Sequence, residues 1–380
     1  MNRSAVLGMP VSLVGHPLAG IGRGEDLRCC YRAFKTVGVN PTLVDVYGGG
    51  GDRELEVEFR ADLAHETAGG VDIFCINGDE VEPVLSTLGA RRVPARYSIV
   101  IPQWELSQYP APWARQLERF DEVWAPSAFI RDTLAPVLAN TVSHIPGSTG
   151  VRLGRFIGRR TFGIPESAYA FLFAFDLRSY QERKNPMAVV DAYAEVIRAR
   201  PASEVVLVVK VAGRAARPDA AEALRQRLRE RTANLGLGRV VVLERDLTDT
   251  ETKNLVRCCD CFVSLHRSEG FGRFLAEAML LGRPVIGTAY SGNMDFMTSD
   301  VSCLIDYRLT PVGPDEYPFW EGQVWADANV DKAVREMIRL LDDPAWGREI
   351  GARASRHIRT NFSYRAVGLQ YVDRLRAACA

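Results

Sequence analysis

The sequence predicts an α/β protein built from two open parallel sheets in tandem. Apolar runs alternate with helix-period patterns along most of the chain, the signal of parallel strands covered on both faces. The alternation stops near His144-Ile145-Pro146-Gly147 and restarts at Ala170. The length of 380 residues also exceeds one ordinary core and suits two domains.

The elements follow in order. Residues 11–15 read as the first strand. A glycine-rich loop, Gly20-Ile21-Gly22-Arg23-Gly24, then leads into a helix through Phe34. Further strands are expected over 42–46, 72–76, 98–101 and 122–125, with helices over 113–119 and 128–138. Residues 148–160 read as a linker. In the second half, strands are expected over 170–175, 205–211, 240–243, 261–265 and 284–288. Helices are expected over 186–199, 217–235, 272–281 and 331–341, and a last one near 364–378. The domain boundaries drawn from this are 1–155 and 156–355, with a C-terminal helical segment over 356–380. In open α/β sheets, ligands bind outside the carboxyl ends of the strands.

Composition narrows the function. Basic and acidic residues number 47 each, so the net charge is zero and no global nucleic-acid-binding charge exists. Arg91-Arg92-Val93-Pro94-Ala95-Arg96 and the arginines of 225–231 read as solvated faces. Only five basic residues are lysine: Lys35, Lys184, Lys210, Lys253 and Lys332. In a chain this biased to arginine, a lysine marks a place where a point charge on a flexible stem suits better than a planar fork. No apolar run approaches the roughly 18 residues of a membrane span, and Met1-Asn2-Arg3-Ser4 does not open a leader, so a cytoplasmic protein is expected. The eight cysteines have no framework spacing; one CxxC, Cys258 to Cys261, lacks a second pair, so no metal is expected.

The richest stretch is Ser268-Glu269-Gly270-Phe271-Gly272-Arg273-Phe274-Leu275-Ala276-Glu277-Ala278-Met279. A strand enters a glycine-containing turn that opens a helix, whose first N–H groups form an anion site. Glu269 and Glu277 can face one cleft; the bland alternative is a cap-region carboxylate and a solvated helix residue. With Gly282-Arg283-Pro284-Val285 following, the stretch resembles the retaining glycosyltransferases of family 4. The resemblance implies the GT-B fold: two Rossmann-like domains facing across a cleft, with the last helix, within 356–380, crossing back onto the first domain. It implies that Glu269 lies beside the donor sugar and Glu277 on the ribose hydroxyls, with Gly270, Phe271 and Gly272 at the donor.

Other stretches extend the resemblance. Arg178 and Lys184, in Asp176-Leu177-Arg178-Ser179-Tyr180-Gln181-Glu182-Arg183-Lys184-Asn185, match the family's diphosphate clamp. Fixed cations there stabilise the charge of a departing nucleoside diphosphate. Lys210 closes the run Val205-Val206-Leu207-Val208-Val209 and points to the donor or to water. His266 is read as support for the glutamate loop, adjacent to the donor. Gly20 and Gly22 suit a loop closing on the donor phosphates. The same loop imitates a dinucleotide fingerprint, but Glu25 stands where that pattern needs glycine.

Trp104-Glu105-Leu106, Asp121-Glu122-Val123-Trp124 and Ser291-Gly292-Asn293-Met294-Asp295 resemble a bacterial polysaccharide branch of the family. Trp104 and Glu105 are therefore expected on the acceptor side, with core packing the alternative for Trp104. The expected reaction is hexose transfer, best fitted by mannose from GDP-mannose, onto a glycan or lipid-linked glycan. No cofactor, metal or nucleic acid is implied; weak contact with an anionic membrane surface is allowed. The alternatives are a non-catalytic nucleotide-sugar-binding module and a transferase using UDP-glucose or UDP-N-acetylglucosamine.

Overall fold

The computed structural model describes residues 8–48, 53–236 and 239–379; the first four residues, read above for a leader, lie outside them. The chain divides into two compact units. One comprises the chain up to Gly150 together with Arg359 onward, the other Val151–Ile358.

The first unit contains β1 (Val11–Gly15), α1 (Gly22–Thr36), β2 (Thr42–Asp45), α2 (Arg53–Phe59), β3 (Leu63–Ala64), β4 (Val71–Phe74), α3 (Val81–Leu88), β5 (Tyr97–Val100), α4 (Ala111–Leu117), β6 (Glu122–Ala125), α5 (Ala128–Leu134) and β7 (Thr141–His144). Its strands form one parallel sheet in the order β3-β2-β1-β4-β5-β6-β7. Strand order reverses between β1 and β4. Central strands β1 and β4 are buried along their whole length, as a sheet with both faces covered requires.

The second unit contains β8 (Tyr169–Asp176), α6 (Gln181–Lys184), α7 (Pro186–Ala199), β9 (Val205–Ala212), α8 (Pro218–Thr232), β10 (Val240–Leu243), α9 (Asp249–Cys258), β11 (Cys261–Ser264), α10 (Arg273–Leu280), β12 (Val285–Thr288), β13 (Cys303–Ile305), β14 (Tyr307–Pro311), β15 (Val324–Ala328) and α11 (Val330–Asp342). Its parallel sheet runs β10-β9-β8-β11-β12-β13 and reverses between β8 and β11. Phe171 and Phe173 of β8 and Leu207 and Val209 of β9 share a core with Val189, Tyr193 and Ile197 of α7 and Met337 of α11. Each large apolar side chain, once buried, contributes about 1.5–3 kcal/mol.

Local signals set the helix ends. Thr248 and Glu251 form a reciprocal capping box at the head of α9, and Asn329 accepts from the Lys332 N–H at the head of α11. Pro186 opens α7 at the position where a missing N–H costs nothing. Two further helices end the chain: α12 (Pro344–Asn361), inside which the unit boundary falls, and α13 (Tyr364–Cys379). In the first unit α13 packs on α1. Gly368 allows this approach, because a Cβ there would lie 2.4 Å from the Ala33 carbonyl oxygen. Tyr371 stacks on Trp124, and Arg374 donates to the buried Glu122 at 2.7 Å.

Several elements differ from the sequence-based expectation. Helices α2, α3, α9 and α12 and the antiparallel hairpin β14–β15 have no counterpart in it. The first helix begins at Gly22, so Gly22 and Gly24 belong to α1 and not to a free loop. Gly24 is the glycine that packing demands: a Cβ would sit 2.3 Å from the Ala19 carbonyl oxygen. The basic stretches are also less bare than expected. Arg92 covers the Phe74 ring and Arg225 is paired with Glu244.

Candidate active site

The second sheet reverses its strand order between β8 and β11, and the segments leaving these two strands meet there. After β8 the chain makes a short turn and α6, which ends in Arg183 and Lys184. After β11 it runs through residues 265–272 into α10. Lys184 Nζ lies 2.5 Å from Glu269 Oε1, and Arg183 Nη1 lies 3.1 Å from Glu269 Oε2. Arg183 also donates to the Ser268 carbonyl at 2.8 Å. Burial raises the Glu269 pKa, but Lys184 and then Arg183 outweigh it and hold the carboxyl at about 2. Glu269 is therefore a carboxylate at neutral pH.

The loop carrying Glu269 is fixed from behind. Ser291, at φ +73°, accepts from the Glu269 N–H at 2.8 Å, and the Gly292 N–H donates to the Glu269 carbonyl at 2.9 Å. A Cβ on Gly292 would come within 1.8 Å of the Gly270 carbonyl oxygen, so only glycine fits. Gly272 stands at φ +93° as the N-cap of α10. Phe271 is buried against Phe296, with Arg273 over its ring.

His266 is fully buried between Ser264 and Asn293, each at 3.0 Å. Desolvation lowers its pKa, so it is neutral at pH 7. Asn293 donates from Nδ2 to the Thr288 carbonyl, which leaves Oδ1 facing His266 as an acceptor. The proton is thus assigned to Nε2, and Nδ1 accepts from the Ser264 hydroxyl. These bonds make His266 a brace between β11 and the loop after β12.

The remaining expected residues fall in three places. Glu277 is not a solvated helix residue: it is buried and accepts from Lys253 Nζ at 2.5 Å. Arg178 lies after β8 and is paired with Asp176, Nη2 to Oδ2 at 2.5 Å. Lys210, also buried, donates to the Val211 carbonyl at 2.9 Å; desolvation lowers its pKa, and Asp246 and Asp176 oppose that. Gly20, Gly22, Trp104 and Glu105 belong to the first unit. A Cβ at Gly20 or Gly22 would meet nothing within 4 Å. Trp104 corrects the expectation of a sugar-facing ring. It is 1% exposed, donates to the Gln108 carbonyl and packs edge-on against Tyr109 and Trp113. Glu105 is half-buried.

Arg183, Lys253, Ser291 and Asn293 have no role assigned from sequence. Lys253 carries a signal, being one of five lysines. The others stand inside motifs already singled out, but their partners, the Glu269 carboxylate for Arg183, the Glu269 N–H for Ser291 and His266 for Asn293, lie on segments far apart in sequence. Among the described residues, no group of three or more His, Cys, Asp or Glu side chains could hold a metal ion. Among them, too, no helix is long and apolar enough to cross a membrane.

The chain is 29% identical over 209 residues to the D-inositol 3-phosphate glycosyltransferase of Kineococcus radiotolerans, covering 53% of this chain and 43% of that protein. It is 30% identical over 123 residues to the trehalose synthase of Pyrococcus horikoshii, covering 32% of this chain and 25% of that one. It thus spans less than half the length of either relative. The fold resembles the Anabaena protein HepE solved with UDP and glucose, at TM-score 0.71 and 14% identity, covering 97% and 100% of the two chains. It also resembles the sucrose-phosphate synthase of Thermosynechococcus elongatus, at TM-score 0.69 and 18% identity over 97% and 99%. The two parallel-sheet Rossmann-like domains are those of the GT-B fold. Glycosyl transferases group 1 match residues 159–357, more than half of the chain and all of the second-unit loops described above, and the protein belongs to that family.

Proposed function

We propose that this protein is a retaining glycosyltransferase of family 4 that moves a hexose from a nucleotide-sugar to a glycan or lipid-linked glycan. The observation that carries the reading is Glu269, kept ionised by Lys184 and Arg183 where the second sheet reverses its strand order. That crevice is where open α/β sheets bind ligands.

In the proposed reaction the acceptor hydroxyl attacks the anomeric carbon from the face that the diphosphate leaves. The carbon–oxygen bond to the diphosphate breaks, and its electron pair stays on the diphosphate. A diphosphate oxygen takes the acceptor proton. Arg178 and Lys184 stabilise the charge that develops there. Lys184 has three donors, so an ammonium that holds Glu269 can also reach a phosphate oxygen. Glu269 favours positive charge on the anomeric carbon, and Glu277 accepts from the ribose hydroxyls. These cations do the work that a metal does elsewhere, so neither metal nor cofactor is part of the proposal. The acceptor is proposed to belong to surface polysaccharide synthesis on the cytoplasmic side, where weak association with the membrane suits a lipid-linked glycan.

GDP-mannose is the first donor to try, because the polysaccharide-type motifs favour it. The UDP and UDP-glucose held by HepE favour a second reading, a UDP-glucose donor. The test follows nucleoside diphosphate release from GDP-mannose, UDP-glucose and UDP-N-acetylglucosamine, with and without glycan acceptors. Release in the wild type and a fall of about 10²–10³ in kcat for Lys184→Ala are expected. Binding without release identifies a non-catalytic module, and inversion at the transferred carbon rejects the retaining assignment.

A further inference from the structure

The first sheet reverses its strand order between β1 and β4, and here too the segments leaving the two strands are tied together. His16 follows β1 and Glu80 lies beyond β4; His16 Nε2 and Glu80 Oε1 are 2.9 Å apart. Tyr47, just beyond β2, donates its hydroxyl to the same Glu80 oxygen at 2.6 Å. The other oxygen accepts from Arg23 and from the Asn77 N–H. Burial raises the Glu80 pKa, but the His16 hydrogen bond and the Arg23 charge lower it to about 2. Glu80 is thus an ionised anchor whose two oxygens are already engaged.

The anchor holds an aromatic stack. The His16 and Tyr47 rings lie parallel, 3.5 Å between centroids and 6° between planes. His16 covers one face of Tyr47, yet Tyr47 remains 42% exposed, so that exposure lies away from the His16 stack. A ring held on one side and open on the other is pre-organised for stacking, with little entropy left to lose. Arg23 is ion-paired with Glu80, and the exposed ring itself carries no charge. An uncharged ring with an apolar face and outward hydroxyls suits such a face. Trp104, the other candidate for this role, is buried.

We infer that Tyr47, backed by His16 and anchored by Glu80, is a stacking platform for a neutral sugar ring of the glycan. The inference rests on the transferase reading for its biological setting, but its test needs no turnover. The full chain is titrated with mannohexaose, maltohexaose and cellohexaose, and separately with GDP and UDP, by calorimetry and ligand-observed NMR. Wild type is expected to bind at least one hexaose. Tyr47→Ala is expected to weaken that binding on the order of five- to tenfold, the range of an aromatic stacking contact. Tyr47→Phe, which keeps the ring and the His16 stack but loses the bond to Glu80, should bind between wild type and Tyr47→Ala. Nucleotide binding should be the same in all three. Unchanged hexaose binding in Tyr47→Ala overturns the platform, as does the absence of hexaose binding in wild type. Weakened nucleotide binding with intact hexaose binding also overturns it and assigns the ring to a base. Since Tyr47 is exposed, the variant should fold, and a matching thermal melt checks this. Failure of the transferase reading would appear separately, as absence of nucleoside diphosphate release.

Discussion

At the residue scale, two cations of the second unit, Lys184 and Arg183, converge on one carboxylate. Glu269 has its pKa lowered to about 2 from the ordinary 4.5. A depressed carboxyl contributes stability that is complete above pH 4.5 and lost as pH falls towards 2. Urea midpoints for wild type and Glu269→Gln should therefore differ most above pH 4.5 and converge on acidification. A pH-independent difference would contradict the ion-pair account. The identity of Glu269 as a candidate is legible from the Glu-Gly-Phe-Gly pattern. Its second cation, Arg183, is not: α6 is a single turn, and nothing in Gln181-Glu182-Arg183-Lys184 says which of two adjacent bases faces inward. Both do.

At the element scale, the loop between β11 and α10 depends on the loop after β12. Gly292→Ala places a Cβ 1.8 Å from the Gly270 carbonyl oxygen, so one backbone must move. The expected result is loss of nucleotide binding, measured by calorimetry, in a chain whose far-ultraviolet circular dichroism is retained. The capping box of α9 offers a contrast. Thr248→Ala removes an acceptor from the Glu251 N–H and should cost about 1 kcal/mol in chemical denaturation. Strands such as β9, with its nearly unbroken apolar run, are readable from composition and length. Helices α3 and α9 are harder to read, because short helices without a long periodic stretch resemble loops.

At the scale of the whole molecule, each sheet brings a pair of charged or polar groups to its point of reversal: Lys184 with Glu269 in one, His16 with Glu80 in the other. The C-terminal residues complete the first unit. Arg374 of α13 is the 2.7 Å partner of Glu122, whose other oxygen accepts from Tyr97. Arg374→Ala takes this cation from a buried carboxylate and is destabilising, by less than the roughly 3–5 kcal/mol of a fully buried pair because Arg374 is partly exposed. In differential scanning calorimetry the transition of the first unit should fall, while that of the second stays in place. A uniform shift of both transitions would contradict the assignment of α13 to the first unit.

The sequence by itself determined the fold class, the two-sheet organisation and the strand–turn–helix stretch that carries Glu269 and Glu277. These depend on apolar runs, glycine positions and spacing, all local along the chain. Tertiary structure alone decided which side chains pair: Arg183 with Glu269, Lys253 with Glu277, Arg374 with Glu122. It also decided that Trp104 is core while Tyr47 is open. The physical reason is the same in each case. Burial and ion pairing depend on distances between segments far apart in sequence, and the alternation of apolar and polar residues does not encode them.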